Sequence, residues 1–155
     1  MQLKAAVDTS WADDVDDAES QYGWVIFLCG GIISWKSALM RCTATSSTEA
    51  EYVGLADLVC ELLYLTSLLA EMGYPQDPVP VDEDNKGVLS VAKNEGKHSH
   101  QRHINIKFHL CRKFLGKLFT FNDVRGSLNV ADLLTKPTLS VERFNDLRSK
   151  LLTKL

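Results

Sequence analysis

The sequence predicts an α/β domain built on a mixed, five-stranded sheet that is flanked by helices. Two patterns lead to this prediction. The first part of the chain carries three strand-like stretches without a helix between them, which is typical of a meander. Helical and strand-like segments then alternate, and alternation of this kind produces a sheet covered by helices. With 155 residues, of which 45% are hydrophobic, we expect a single domain over residues 1–155.

The three opening strands are predicted from their residue types and from one turn. Leu3 to Asp8 and Gly23 to Cys29 are rich in strand-favouring residues. The Gly30-Gly31 pair is a hairpin-turn signal, and the stretch from Ile32 to Lys36 follows it. We therefore expect the second and third strands to form a hairpin.

A long central helix is predicted to end near Met72 and Gly73. Ser46, Ser47 and Thr48 are all suitable N-caps for it. Apolar residues then recur at helical spacing, which indicates one buried face. They are Val53, Ala56, Val59, Leu62, Leu63 and Leu69.

The remaining elements alternate, and prolines separate the first of them from the central helix. Pro75, Pro78 and Pro80 end that helix and confine the next strand to a short stretch. The predicted segments are a strand from Val79 to Asp84, a helix from Lys86 to Lys93, a helix from Arg102 to Leu115, a strand from Leu118 to Val124, a short helix from Asn129 to Leu134 and a C-terminal helix over residues 141–152.

Charge is divided unevenly along the chain. Residues 1–85 hold 3 Lys and Arg against 15 Asp and Glu, whereas residues 86–117 hold 8 against 1 and also contain all four histidines. An acidic site beside a basic surface is therefore expected, and a polyanion is the partner that such a surface attracts.

Four carboxylates lie where the predicted elements begin or end. Asp8 and Asp84 end strands, Glu51 lies in the first turn of the central helix, and Asp132 lies in the short helix after the fifth strand. Converging carboxylates repel each other unless cations neutralise them, and their hard oxygen ligands suit Mg²⁺ or Mn²⁺. The pattern indicates a two-metal site for phosphodiester cleavage, with two Mg²⁺ ions and Mn²⁺ as the alternative.

Ordered motifs surround these carboxylates. They read Val7-Asp8-Thr9-Ser10-Trp11-Ala12-Asp13-Asp14, Ile33-Ser34-Trp35, Ser46-Ser47-Thr48-Glu49-Ala50-Glu51-Tyr52, Glu83-Asp84-Asn85-Lys86-Gly87, His103-Ile104-Asn105-Ile106 with His109, and Ala131-Asp132-Leu133-Leu134-Thr135-Lys136-Pro137. Through these motifs nearly the whole chain resembles the ribonuclease H domain of copia-type LTR retrotransposon reverse transcriptase polyproteins.

The resemblance implies a ribonuclease H-like fold and a metal-dependent endonuclease. Such an enzyme hydrolyses the RNA strand of an RNA/DNA hybrid during reverse transcription and leaves 5′-phosphate ends. The resemblance assigns both catalysis and metal binding to Asp8, Glu51, Asp84 and Asp132. It also implies two partners, the hybrid and the polymerase domain of the parent polyprotein.

A second set of residues is predicted to contact nucleic acid. His103, Lys107 and Arg112 would meet the phosphate backbone, with an ordinary solvated helix face as the alternative. The full predicted set is Asn85, Arg102, His103, Lys107 and Arg112.

Simpler roles exist for three of the acidic residues. Glu51 would complete a capping box with Thr48, and Asp132 would do the same with Asn129. Asp82 shares a strand face with Asp84, so alternation alone does not choose between them. Only the motif around Asp84 favours this residue as the metal ligand, and Asp82 is the alternative.

Departures from the family pattern keep a second function open. Ser10 stands where the family usually has an Asp, and Ala38 and Leu39 stand where lysines are usual. The alternative is a catalytically weak or repurposed module that binds nucleic acid or a protein partner. No signal peptide or membrane-spanning stretch is recognised, so we expect an intracellular, cytoplasmic protein, including one inside a virus-like particle, with no membrane contact.

Overall fold

The computed structural model describes residues 1–11, 20–40, 46–93 and 102–152, without the side chains of 90–93 and 102–105. Its strands and helices are β1 (Leu3–Ser10), β2 (Gln21–Leu28), β3 (Gly31–Leu39), α1 (Ser47–Glu71), β4 (Val79–Glu83), α2 (Lys86–Lys93), α3 (Arg102–Phe114), β5 (Phe119–Asp123) and α4 (Val141–Leu151). Two short 3-10 helices, Gly126–Leu128 and Val130–Leu134, lie between β5 and α4. The predicted five-stranded mixed sheet with flanking helices is confirmed.

The strand order places β1 and β4 side by side within the sheet. The order is β3-β2-β1-β4-β5. Strand β2 pairs antiparallel with both β1 and β3, and β4 pairs parallel with both β1 and β5. Ala6 of β1 pairs with Asp82 of β4. Extending this register by two residues brings Asp8 level with Asp84, so both carboxylates lie at the same end of the sheet.

The hairpin between β2 and β3 turns one residue earlier than predicted. Leu28 pairs with Gly31, which leaves Cys29 and Gly30 as the two turn residues. Both have positive φ, 52° and 85° respectively. A tight two-residue hairpin of this kind needs positive φ at both central positions, so Gly31 is the first residue of β3 and not part of the turn.

Helix α1 covers one face of the sheet and forms most of the core. Its buried residues are Ala50, Glu51, Tyr52, Gly54, Leu55, Ala56, Leu58, Val59, Leu62 and Leu69. The hydrophobic ones among them share a core cluster with odd-numbered residues of β1 and β4, such as Val7 and Val81, and with even-numbered residues of β2, such as Ile26. Among the described residues α1 is also the one helix long and apolar enough to cross a membrane, a property that the core helix of a globular domain often shares.

The opposite face of the sheet carries the 3-10 helix Val130–Leu134. Ala6, Val25 and Ala131 form a small buried cluster there. A Cβ atom on Gly23 of β2 would stand 2.5 Å from the Cβ of Leu134, so the glycine allows the helix to lie against the strand. The short helix predicted from Asn129 is therefore present, but it has 3-10 geometry.

Candidate active site

Asp8 lies near the end of β1 and is 3% exposed. The Thr135 hydroxyl donates a hydrogen bond to its Oδ2, and the Nζ of Lys136 lies 3.8 Å from the same oxygen. Burial raises the pKa of Asp8 to about 6, which the negative charges of Asp132 and Asp84 reinforce and the contacts with Thr135 and Lys136 oppose. Asp8 is therefore held among both acidic and basic groups.

Asp132 is 4% exposed, and cations contact both of its carboxylate oxygens. The Nζ of Lys136 lies 2.6 Å from Oδ1, and the Nη2 of Arg143 in α4 lies 3.0 Å from Oδ2. Asn129 caps the 3-10 helix by accepting a hydrogen bond from the Ala131 N–H. Asn129 therefore caps this helix as predicted. Asp132 does not complete a capping box with it and forms ion pairs instead.

Glu51 lies in the second turn of α1 and is 5% exposed. The N-cap of this helix lies two residues before Thr48, since Ser46 accepts a hydrogen bond from the Glu49 N–H. The Oε2 of Glu51 has no hydrogen-bond partner. Burial raises its pKa to about 10, and the charges of Glu83 and Asp8 add to the effect. The capping alternative with Thr48 is therefore wrong, and the carboxylate is left for another role.

Asp84 follows the last residue of β4 and points toward the other acids. It accepts a hydrogen bond of 3.3 Å from Nδ2 of Asn129, and its charge raises the pKa of Asp8. Asp82 instead pairs with Lys4 at 2.8 Å and accepts a hydrogen bond from Asn122 at 2.6 Å. The structure therefore places Asp84, and not Asp82, beside the cluster.

Glu83 is a further buried acid that the motifs did not single out. It is fully buried; its Oε1 accepts a hydrogen bond from the Asn85 N–H at 2.9 Å, and its Oε2 has no partner. Burial raises its pKa to about 8. Strand alternation contained the signal, because Val79 and Val81 face α1 and Glu83 is the next residue in that series.

The donor chemistry of this cluster fits a hard divalent cation. Its groups are carboxylates that raise one another's pKa, and Glu51 has a buried oxygen without a partner. Within residues 1–11, 20–40, 46–93 and 102–152, however, no three His, Cys, Asp or Glu side chains are placed to hold one ion together. The protein's own Lys136 and Arg143 occupy the oxygens of Asp132. A bound ion would have to compete with them.

The chain is similar in sequence to transposon polyproteins. It is 33% identical over 135 residues, 86% of its length, to the retrovirus-related Pol polyprotein from transposon TNT 1-94 of Nicotiana tabacum. It is 36% identical over 154 residues, 97% of its length, to that from transposon RE1 of Arabidopsis thaliana. It spans about a tenth of each relative. No protein-family model matches the chain.

The fold is shared with solved ribonucleases H. The crystal structure of LC11-RNase H1 in complex with an RNA/DNA hybrid superposes with a TM-score of 0.65 at 17% identity, over 86% of this chain and 94% of that one. This chain has a ribonuclease H fold and is a homologue of one segment of retrovirus-related Pol polyproteins. The predicted resemblance is confirmed at the level of family and fold.

The residues of this domain that were predicted to contact nucleic acid lie on different elements and make different contacts. Asn85 uses its Oδ1 to accept hydrogen bonds from the N–H groups of Gly87 and Val88, so it caps α2. Arg112 lies over the ring of Phe108 at 5.2 Å. Arg102 and His103 belong to α3, but their side chains lie outside the described residues.

Lys107 lines a cleft of about 450 Å³ on the α1 side of the Pol-type domain. Lys36 and Tyr22 also line this cleft, with the Nζ of Lys36 5.5 Å from the centre of the Tyr22 ring. Tyr22 pairs with Thr9, the residue after Asp8. The cleft therefore reaches the residue beside Asp8, but Lys36 is paired with Asp57 at 2.8 Å and Tyr22 is only 8% exposed. Of these lining residues only Lys107 was predicted from the sequence.

Proposed function

We propose that this domain hydrolyses the RNA strand of RNA/DNA hybrids by two-metal-ion catalysis during retrotransposon reverse transcription. The observation that carries the proposal is the electrostatic interaction of Asp8 with three other motif carboxylates, Glu51, Asp84 and Asp132, at one end of a ribonuclease H-fold sheet. The products would be 5′-phosphate and 3′-hydroxyl ends.

The four carboxylates would hold two Mg²⁺ ions, or Mn²⁺, which when bound supply an activated water nucleophile and stabilise the leaving oxygen. The surrounding side chains fix the carboxylates in place. Asn129 joins Asp84 to the backbone of β1, because its Nδ2 donates to both Asp84 and the Val7 carbonyl. Arg143 holds Asp132 from α4. Such fixed groups need little rearrangement when charge develops on the substrate.

An RNA/DNA hybrid suits the surface beside the site. LC11-RNase H1, whose fold this chain shares, was crystallised with such a hybrid. Lys107 supplies positive charge to the adjoining cleft, in which Lys36 is paired with Asp57 at 2.8 Å. Contacts of this kind read backbone and shape more than base sequence, so cleavage should show little sequence preference.

The test is cleavage of a hybrid labelled on its RNA strand, at low salt with Mg²⁺ or Mn²⁺, beside single-stranded RNA and duplex DNA. Metal-dependent cutting of the hybrid's RNA alone, lost in Asp84→Asn, is the expected result. The matched control is Asp82→Asn, two residues away and outside the cluster, which should keep cutting. Equal activity of the wild type and Asp84→Asn would contradict the assignment.

A binding module without catalysis is the second candidate. The observation in its favour is that Lys136 and Arg143 already engage both oxygens of Asp132. Measurable binding of the hybrid with no cutting by the wild type at any Mg²⁺ or Mn²⁺ concentration would select this candidate.

The wider setting is also a proposal. Because the chain spans about a tenth of its Pol relatives, a polymerase domain of the same polyprotein is the expected partner. The expected location is the cytoplasm, including the interior of a virus-like particle. Co-purification with the polymerase segment of the same element tests this arrangement.

A further inference from the structure

Lys136 places an ammonium group between two carboxylates of different elements. Its Nζ lies 2.6 Å from Asp132 Oδ1 in the 3-10 helix and 3.8 Å from Asp8 Oδ2 in β1. The two acidic side chains are 6% and 4% exposed, respectively, whereas the lysine side chain is 37% exposed. The lysine thus enters the cluster from the solvent side and reaches two acids that water hardly touches.

Two such acids are costly to keep side by side unless a positive charge accompanies them. Lys136 supplies that charge from within the chain. A lysine side chain is protonated at neutral pH, so the ammonium form is the one that faces the acids.

Arg143 and Lys136 differ in how firmly they are held. Arg143 donates to the carbonyl oxygens of Gly126 and Ser127 as well as to Asp132, and its side chain is 22% exposed. Within the described part of the chain, the ion pairs of Lys136 are with these two acids, and no backbone carbonyl accepts a hydrogen bond from its ammonium group. Its four-carbon stem is flexible, and its ammonium is a compact charge that water solvates well. Lys136 is thus the cation that can leave.

We propose that Lys136 is a built-in counterion that neutralises Asp8 and Asp132 in the metal-free protein and withdraws from Asp132 when a divalent ion binds. This inference rests on the proposed metal centre. Lys136 is a positioning residue in this role, since it acts on the carboxylates and not on the substrate. Its presence lowers the affinity for Mg²⁺, because the ion has to displace it.

The test compares Lys136→Met with Lys150→Met. Lys150 makes the same i,i+4 contact with Asp146 at 2.8 Å and is equally exposed, at 38%, but Asp146 is 50% exposed and outside the cluster. In EDTA, Lys136→Met should lower the Tm by about 3 °C or more and Lys150→Met by less than about 1 °C. Saturating Mg²⁺ should restore most of the lost Tm in Lys136→Met and should have no such effect in Lys150→Met.

Calorimetric titration with Mg²⁺ gives the second readout. Lys136→Met should bind Mg²⁺ about tenfold more tightly than the wild type, while Lys150→Met should match the wild type. An unchanged or weaker affinity in Lys136→Met overturns the inference. If Lys136→Met does not fold without Mg²⁺, Lys136→Arg is measured in its place. It keeps the charge and should retain the wild-type Tm in EDTA.

A double-mutant cycle excludes a merely structural role. In an Asp132→Asn background the nearer of the two charges on which Lys136 acts is gone. Lys136→Met should therefore lower the Tm in EDTA by less than half as much in this background as in the wild type. An undiminished effect contradicts the inference. A wild type that binds Mg²⁺ and cleaves hybrid while Lys136→Met shows no change would refute the inference alone. A wild type that does neither would refute the proposed function, and the inference with it.

Discussion

At the scale of single residues, the acidic cluster contains more negative charge than its surroundings balance. Glu51 and Glu83 are both buried, and each has one carboxylate oxygen without a hydrogen-bond partner. The charge of Glu83 also raises the pKa of Glu51. Two unpaired buried acids destabilise a fold, so their presence is better explained by a bound cation than by packing.

Replacing Glu83 by Gln should stabilise the metal-free protein. The amide keeps an oxygen for the Asn85 N–H and replaces a buried acid whose pKa is raised to about 8, so no carboxylate has to be buried there at pH 8. We expect the free energy of unfolding at pH 8 in EDTA to rise by about 1 to 3 kcal/mol. Urea denaturation measures it. The control is Glu71→Gln, an exposed change at the end of α1 that should stay within about 0.5 kcal/mol. A loss of stability in Glu83→Gln would show that the Glu83 carboxylate of the wild type is already compensated by its surroundings.

At the scale of elements, local patterns predicted most segments, and tertiary contacts decided the rest. The periodicity of α1 and its end near residue 72 were readable, because one apolar face and the prolines mark them. The choice among Ser46, Ser47 and Thr48 as the N-cap could not be made from the sequence, since serine and threonine are both favourable N-caps. The 3-10 geometry of Val130–Leu134 also lies beyond local pattern, because the close approach to Gly23 constrains it.

Gly23 allows the 3-10 helix to lie close against β2, so a larger residue at this position should disturb the contact. A Cβ atom in Gly23→Ala would stand 2.5 Å from the Leu134 Cβ and 3.3 Å from its backbone carbonyl carbon, so the 3-10 helix that carries Asp132 has to move. We expect a loss of stability of about 1 to 3 kcal/mol and weaker hybrid cleavage. Gly31→Ala is the control, because its nearest atom is the Leu28 oxygen at 3.8 Å. Equal thermal stability of the two variants would contradict this account of the packing.

Helix α4 is tied to the site by Arg143. The guanidinium donates to the carbonyls of Gly126 and Ser127 and to Asp132, a planar fork that lysine does not reproduce. Arg143→Lys should therefore lower the Tm by about 3 °C or more and reduce cleavage. Arg148→Lys in the same helix, an exposed position, should have little effect on either. Loss of activity in both variants would indicate that α4 acts in another way.

At the scale of the whole molecule, topology explains why a site could be foreseen from a linear sequence. Asp8 and Asp84 are 76 positions apart, yet β1 and β4 are parallel neighbours and end at the same side of the sheet. Motifs around strand ends therefore predicted the convergence. They could not predict the internal cations, because the contacts of Lys136 and Arg143 with Asp132 depend on how the segment after β5 folds back.

The pH dependence of stability follows from the same cluster. The pKa values of Asp8, Glu83 and Glu51 are raised to about 6, 8 and 10, above the values of the unfolded chain. The folded protein thus binds more protons than the unfolded chain between about pH 5 and pH 9, and linkage makes its stability fall as the pH rises through this range. We expect the Tm in EDTA to decrease steadily from pH 5 to pH 9.

Mg²⁺ should flatten this profile, because a bound divalent ion favours the ionised carboxylates and replaces the protons. Thermal melts at each pH with EDTA and with saturating Mg²⁺ measure both slopes on one protein. Glu51→Gln removes the group with the highest of the three pKa values, so its EDTA profile should be shallower than that of the wild type. A Tm that rises with pH in EDTA would mean that the internal cations already compensate the acids, and a metal ion would then not be needed to stabilise the cluster.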